Sequence, residues 1–113
     1  MSRNLDVAIA EALGYGVVNL KGNPYIANNS GYYGLDDLVP HYSTDSNAML
    51  ELEREMRGRG WRLELWYADA ENVYVAHYDK PGDDFTAEGK AETEPLARAL
   101  AAYYALTRKE WTE

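Results

Sequence analysis

The chain contains no cysteine, and this absence removes disulfides, thiolate metal ligands and thiol nucleophiles from consideration. Small secreted domains usually depend on disulfides, so the composition favours a reducing compartment. Near the start, Leu5 is followed at once by Asp6, and the chain therefore lacks the apolar run that a secretion signal requires. We expect the protein to act in the cytoplasm.

Histidine and long apolar segments are also scarce. With His41 and His77 as the only histidines, a structural zinc site is not expected, and no glycine-rich phosphate loop or cofactor fingerprint is present. No window approaches the roughly 20 apolar residues that span a bilayer, so no membrane partner is expected. At 113 residues, the chain is predicted to form a single domain over residues 1–113.

Positive charge is in the minority, with 11 Lys and Arg against 19 Asp and Glu, and the net charge is −8. Such a balance argues against a nucleic-acid partner, because binding DNA or RNA depends on neutralising phosphates. The arginines are nevertheless concentrated in the short stretch 54–62, whereas acids dominate from Glu64 to Glu94. We expect an electrically uneven surface whose acidic part serves solubility or contacts a basic partner.

Hydrophobic periodicity and turn residues predict the order α-β-loop-α-β-β-β-α. The predicted elements are a helix over 3–13, a strand over 15–20, a loop or irregular hairpin over 23–34, a central helix after Asp45, strands over 61–67, 73–79 and 85–91, and a long helix starting near Pro95. This order is typical of an α+β fold, in which a small antiparallel sheet of three to four strands is flanked by helices.

Three short strings resemble the phage ABA sandwich domain family, a group of small phage and prophage proteins. They are residues 5–14 (LDVAIAEALG), 42–45 (YSTD) and 92–100 (ETEPLARAL), and the last departs from the family at Ala97, where a cysteine is common. The resemblance covers residues 5–20 and 36–107, and residues 22–34 match nothing. It implies an α-β-α sandwich and action in the host bacterial cytoplasm, without implying a reaction.

The segment before the central helix is the first candidate site. Tyr42, Ser43 and Thr44 place hydroxyls beside the free amides of a helix N-terminus, which can hold a phosphate or a carboxylate. The alternative is a structural helix cap, and Asp45 favours that alternative because its carboxylate repels anions.

The arginines form the second candidate site. Arg57, Arg59 and Arg62 can clamp phosphates with two hydrogen bonds each, or they can stabilise the C-terminal end of the helix dipole. Arg98 lies within the last helix, where it either pairs with a buried carboxylate or reaches a ligand. The sequence leaves both alternatives open.

The third candidate site is the tyrosine- and asparagine-rich segment before the central helix. The chain has 10 Tyr against a single Phe, and Tyr suits contact surfaces because its ring is apolar and its hydroxyl polar. Tyr25, Tyr32 and Tyr33 can stack on a base while Asn28 reads its edge. A mobile loop or a dimer contact is the alternative.

No combination of residues in the sequence supports catalysis, so we expect a binding protein rather than an enzyme, and no cofactor. The leading hypothesis is a phage or prophage accessory protein, a homo-oligomeric sponge that sequesters a nucleotide-derived immune signal. Its ligand would be a cyclic nucleotide or an ADP-ribose derivative. The alternative hypothesis is an acidic inhibitor that binds a basic host defence protein and no small molecule.

Overall fold

The structure, a computed structural model, describes residues 3–27 and 38–112. In these ranges the elements are α1 (Asn4–Ala12), β1 (Gly16–Leu20), β2 (Asn23–Ala27), α2 (Ser46–Gly58), β3 (Arg62–Ala68), β4 (Val73–Asp79), β5 (Thr86–Ala91) and α3 (Glu94–Thr107). The predicted α+β class is confirmed. The strands form two antiparallel sheets, a β1-β2 hairpin and a three-stranded sheet in the order β3-β4-β5.

Residues 23–27 form the regular second strand of the β1-β2 hairpin, where the sequence predicted a loop or an irregular hairpin. Leu20 pairs with Asn23, so that Lys21 and Gly22 make a two-residue turn with φ angles of 52° and 83°. Two central residues with positive φ match the twist of the adjoining strands. An isolated antiparallel bridge pairs Tyr25 of β2 with Leu38.

The three-stranded sheet turns one face toward the helices. Its strands alternate, and the positions on this face are Leu63, Leu65 and Tyr67 on β3, Tyr74, Ala76 and Tyr78 on β4, and Ala87, Gly89 and Ala91 on β5. Tyr67, near the end of β3, is 45% exposed and lies outside the core. Helix α3 packs against β5 and β4 with small buried residues such as Ala97 and Ala101. Small side chains let the helix backbone approach the sheet closely, so this contact forms the centre of the core.

Helix α2 is positioned by an apolar stripe and by its N-cap. Met49, Leu52 and Met56 are buried at helical spacing, and the carboxylate of Asp45 accepts a hydrogen bond from the backbone amide of Ala48 at 3.2 Å. Asx side chains at this position satisfy amides that the helix leaves unpaired. Among the described residues, no helix is both long and apolar enough to cross a bilayer.

Candidate functional site

An ion-pair network joins α2 to α3. Arg98, only 12% exposed, donates to Glu53 at 3.2 Å and to Glu94 at 2.6 Å. Glu53 also accepts a hydrogen bond from Arg57, one turn further along α2. Arg98 therefore pairs with carboxylates, as one of its two sequence interpretations proposed, and it holds Glu53 beside the sheet.

A cleft of about 280 Å³ lies next to this network. We call it the arginine cleft, and its lining residues are Glu53, Arg57, Trp61, Arg62, Leu63 and Tyr78. The structure thus brings together two of the arginines that the sequence singled out. Their side chains are 72% and 67% exposed, so both guanidinium groups are accessible from solvent.

The arginine cleft has an unpaired hydroxyl among its lining groups. Tyr78 is 1% exposed, and its hydroxyl has no hydrogen-bond partner within the described part of the chain. Burial raises the pKa of Tyr78, and the positive charge of Arg98 partly opposes that rise. The hydroxyl therefore stays protonated at neutral pH, and it is a buried donor that no described residue uses.

Both exposed arginines already have carboxylate partners. Arg57 pairs with Glu53 on the same helix, and Arg62 on β3 donates to Asp79, its cross-strand partner on β4, at 2.7 Å. The hydrogen bond from Arg62 lowers the pKa of Asp79. Exposed ion pairs contribute little to stability, so a better-matched anion can replace these carboxylates at small cost.

The remaining arginines of the sequence cluster lie elsewhere. Arg59 donates to the backbone carbonyl of Leu13 at 2.7 Å, tying the end of α2 to the end of α1. Arg54 lines a different cleft, described below. The cluster that looks continuous in sequence is therefore divided among three locations, because successive helical residues point in different directions.

The segment 42–44 is a turn that precedes α2. Tyr42 and Ser43 are buried, whereas Thr44 is exposed. The backbone amide of Ser43 donates to Asp6 at 2.9 Å, and the amide of Thr44 donates to the carbonyl of His41 at 3.1 Å. Since both amides are occupied and Asp45 caps the helix, the geometry favours the structural interpretation of this segment over anion binding.

A second cleft, of about 440 Å³, lies between the β1-β2 hairpin and α2. We call it the hairpin cleft, and its lining residues are Tyr15, Ile26, Pro40, Tyr42, Glu51, Arg54 and Glu55. The hydroxyl of Tyr15 donates to Glu55 across the cleft. Of the predicted Tyr/Asn set, Tyr25 is buried in the hairpin, and Asn28, Tyr32 and Tyr33 lie outside the described residues.

The outer face of the three-stranded sheet carries acids around a histidine. Glu64 on β3 and Glu88 on β5 lie directly opposite His77 on β4. Trp66, 43% exposed, meets the His77 ring edge-on with 6.5 Å between centroids. Over residues 3–27 and 38–112, no group of three or more His, Asp or Glu side chains has an arrangement that could hold a metal ion.

Sequence reasoning missed Glu53, Trp61 and Tyr78 as members of the arginine cleft. Strand alternation placed Tyr78 on one sheet face with Tyr74 and Ala76 and so predicted a core residue. The structure confirms that Tyr78 is buried. Nothing in the sequence distinguishes a buried hydroxyl with a partner from one without. That distinction depends on which side chains α2 and α3 bring to the sheet.

The fold is similar to that of a phage protein from Bacillus cereus whose crystal structure is known. The TM-score is 0.72 at 22% sequence identity, and the match covers 99% of this chain and 93% of that chain. No family model matches the sequence, and a search of curated proteins finds no match either. At this level of identity the likeness establishes the fold, and function has to be argued from the sites.

Proposed function

We propose that the protein is a phage or prophage accessory protein that acts by binding a nucleotide-derived anion. The observation that carries this proposal is the arginine cleft, where Arg57 and Arg62 are exposed beside the unpaired hydroxyl of Tyr78. The fold shared with a Bacillus cereus phage protein and the motifs resembling the phage ABA sandwich domain family support the phage assignment.

The chemistry of the cleft suits a phosphate-bearing ligand. Guanidinium groups form paired hydrogen bonds with phosphate oxygens, and such charge-assisted bonds are stronger than neutral ones. The Tyr78 hydroxyl adds a neutral donor, and Trp61 adds an aromatic surface at the same cleft. The ammonium group of Lys80, 5.6 Å from the Trp61 ring centroid, contributes further positive charge nearby.

Cyclic nucleotides and ADP-ribose derivatives combine phosphates with a flat base, so they are the ligand classes that fit these groups. Sequestration needs binding without turnover, and a homo-oligomeric sponge is the form of this function that we propose. Trp66 supports self-association, because an exposed tryptophan on an open sheet face is typical of contact surfaces. Native mass spectrometry of the purified protein would show the assembly and any retained small molecule.

Calorimetry and thermal unfolding with a panel of cyclic nucleotides and ADP-ribose derivatives test the proposal. A ligand present at 100 times its Kd stabilises a folded protein by about 2.7 kcal/mol, which corresponds to a Tm increase of roughly 10 °C for a domain of this size. Replacing Arg57 and Arg62 together by Gln should weaken binding at least tenfold. Arg108→Gln is the matched control, because Arg108 is an exposed arginine paired with Asp83 away from the cleft.

Two results would contradict this function. The first is that no member of the panel changes the Tm or gives a binding heat. The second is that a ligand binds the Arg57→Gln, Arg62→Gln double variant as tightly as the original protein. A ligand that binds equally well to that double variant uses a different surface.

The acidic outer sheet face supports a second candidate function, inhibition of a basic host protein. Glu64 and Glu88 are exposed beside Trp66, and this combination of acids and an aromatic ring suits a protein contact. Asp83 is less available, because it pairs with Arg108 at 2.6 Å. Reversing Glu64 and Glu88 to Lys should abolish capture of a host protein, whereas Glu110→Lys should not.

A further inference from the structure

We propose that the free edge of β5 pairs with β5 of a second copy of this chain, so that two three-stranded sheets join into one across a two-fold axis. The inference names an interface for the homo-oligomer of the proposed function. Its test needs no nucleotide, so the interface and the binding of an anion can fail separately. The inference rests on an uncovered strand edge, on charges that match one alignment of two strands, and on an apolar cleft beside them.

The edge of β5 that points away from β4 is uncovered. In the order β3-β4-β5 it belongs to an outer strand, and over residues 3–27 and 38–112 no backbone hydrogen bond links Thr86–Ala91 to a segment other than β4. Strand edges are usually protected by a proline, a bulge or a covering segment. β5 has no proline and pairs with β4 without a bulge. Its outward amides and carbonyls therefore lack the partners that another strand can supply.

The charged side chains of β5 fit an antiparallel pair of this strand with itself. Glu88 and Lys90 are exposed and two positions apart, so both project from the outer face of the sheet. When Gly89 lies opposite Gly89 of the second copy, Glu88 of each chain lies opposite Lys90 of the other, and two ion pairs form. A shift of two residues places Glu88 opposite Glu88 or Lys90 opposite Lys90, where like charges repel. The charge pattern therefore selects one register, with a two-fold axis at Gly89.

Lys90 can change its ion-pair partner at small cost. Its ammonium group lies 3.4 Å from the carboxylate of Glu71, and the two side chains are 47% and 55% exposed. Exposed ion pairs of this kind contribute little to stability. The contact with Glu71 therefore does not prevent Lys90 from pairing with Glu88 of a second copy.

A cleft of about 170 Å³ lies at the same strand edge. Its lining includes Glu88, Gly89 and Lys90 of β5, Leu100 and Tyr104 of α3, and Trp111 of the segment after α3. Leu100, Tyr104 and Trp111 are only half-buried, so a second strand at this edge covers apolar surface that a single chain leaves in water. The indole N–H of Trp111 is buried, and no described residue accepts a hydrogen bond from it. A single chain thus leaves an apolar cleft with an unsatisfied donor beside the open edge.

Sedimentation equilibrium of the full chain, with charge reversals at the two positions, tests the interface. We expect the original protein to form dimers. Lys90→Glu makes both facing pairs acidic and Glu88→Lys makes both basic, so each variant alone should dimerise at least tenfold more weakly. An equimolar mixture of the two variants restores every pair of opposite charges and should dimerise as the original protein does. Lys21→Glu, which reverses an exposed charge in the β1-β2 turn, is the matched control.

Hydrogen exchange shows where the two chains meet. The β5 amides that face away from β4 should exchange at least tenfold more slowly in the original protein than in Lys90→Glu. The proposal is overturned if the original protein is monomeric at millimolar concentration, if Lys90→Glu dimerises as the original protein does, or if the mixed variants fail to associate. A monomeric protein that still binds a nucleotide overturns this interface and leaves the proposed anion binding intact.

Discussion

Asp6 is the buried acid on which the attachment of α1 to the rest of the fold depends. It is 1% exposed, and it accepts hydrogen bonds from the Arg3 guanidinium at 2.7 Å and from the backbone amide of Ser43 at 2.9 Å. Arg3 in turn donates to the carbonyls of Val39 and Pro40. One carboxylate thus fixes the first helix and the turn before α2 in a single arrangement.

Two substitutions separate the contributions of Asp6. In Asp6→Asn, the remaining side-chain oxygen still accepts a hydrogen bond from Ser43. The new NH2 group lies opposite the Arg3 guanidinium, so two donors face each other and the charge-assisted hydrogen bond between Arg3 and residue 6 is lost. We expect this loss to lower the free energy of unfolding by about 2 kcal/mol. The value is smaller than for a fully buried ion pair because Arg3 is partly exposed. Asp6→Ala also leaves the Ser43 amide buried and unpaired, which adds about 1–3 kcal/mol.

Urea unfolding followed by tryptophan fluorescence measures these free energies. We expect the Asn variant to lose about 2 kcal/mol and the Ala variant about 4 kcal/mol, with Tm decreases of roughly 10 and 20 °C. Asp84→Asn, which changes an exposed acid in the segment between β4 and β5, should alter stability by less than about 0.5 kcal/mol. The reasoning is refuted if both Asp6 variants unfold at the same urea concentration as the original protein.

Three further predictions concern the three-stranded sheet and two buried tyrosines. Gly89→Ala places a methyl group 2.5 Å from the backbone atoms Ala101 N and Ala97 O, so it should cost about 3 kcal/mol in chemical denaturation, because helix α3 has to move. Tyr78→Phe removes an unpaired buried hydroxyl, so it should raise the free energy of unfolding by about 1 kcal/mol in the same assay, and a decrease would indicate a missing partner. Burial raises the pKa values of Tyr42 and Tyr78 above the ordinary 10.0, so the contribution of these two tyrosines to stability should be constant below pH 10 and should be lost as the pH rises beyond it, as measured by circular dichroism between neutral and alkaline pH.

The elements with strong periodicity could be predicted from sequence, whereas the second strand of the hairpin could not be distinguished from a loop. Alternation along 61–67 and 73–79 identified β3 and β4, and the apolar spacing of Met49, Leu52 and Met56 identified α2. Residues 23–27 contain Asn and Pro, which are rare in strands, so propensity alone favours a loop there. The pairing with β1 and the turn at Lys21 and Gly22 override that preference.

The candidate sites were less predictable because they depend on tertiary neighbours. The sequence identified Arg57 and Arg62 from their charge, yet it gave them the same role as Arg59, which instead binds the carbonyl of Leu13. Tyr42 was identified for a helix-terminal anion site, and the structure places it among acids. Charge patterning locates charged side chains along the chain. A binding site also depends on the side chains that other helices and strands place next to them.

Helix α2 connects the two clefts, and its sequence spacing explains why their charges differ. Positions four apart share a face, so Glu53 and Arg57 lie together on the side of the sheet, and Glu51 and Glu55 lie together on the side of the hairpin. Residues two positions apart in a helix, such as Glu51 and Glu53, are separated by about 200° around its axis, so the two pairs lie on opposite sides. The buried stripe that contains Leu52 lies between them and fixes both walls. A substitution that loosens this stripe should therefore displace both cleft walls, whereas a charge substitution in one cleft should leave the other unchanged.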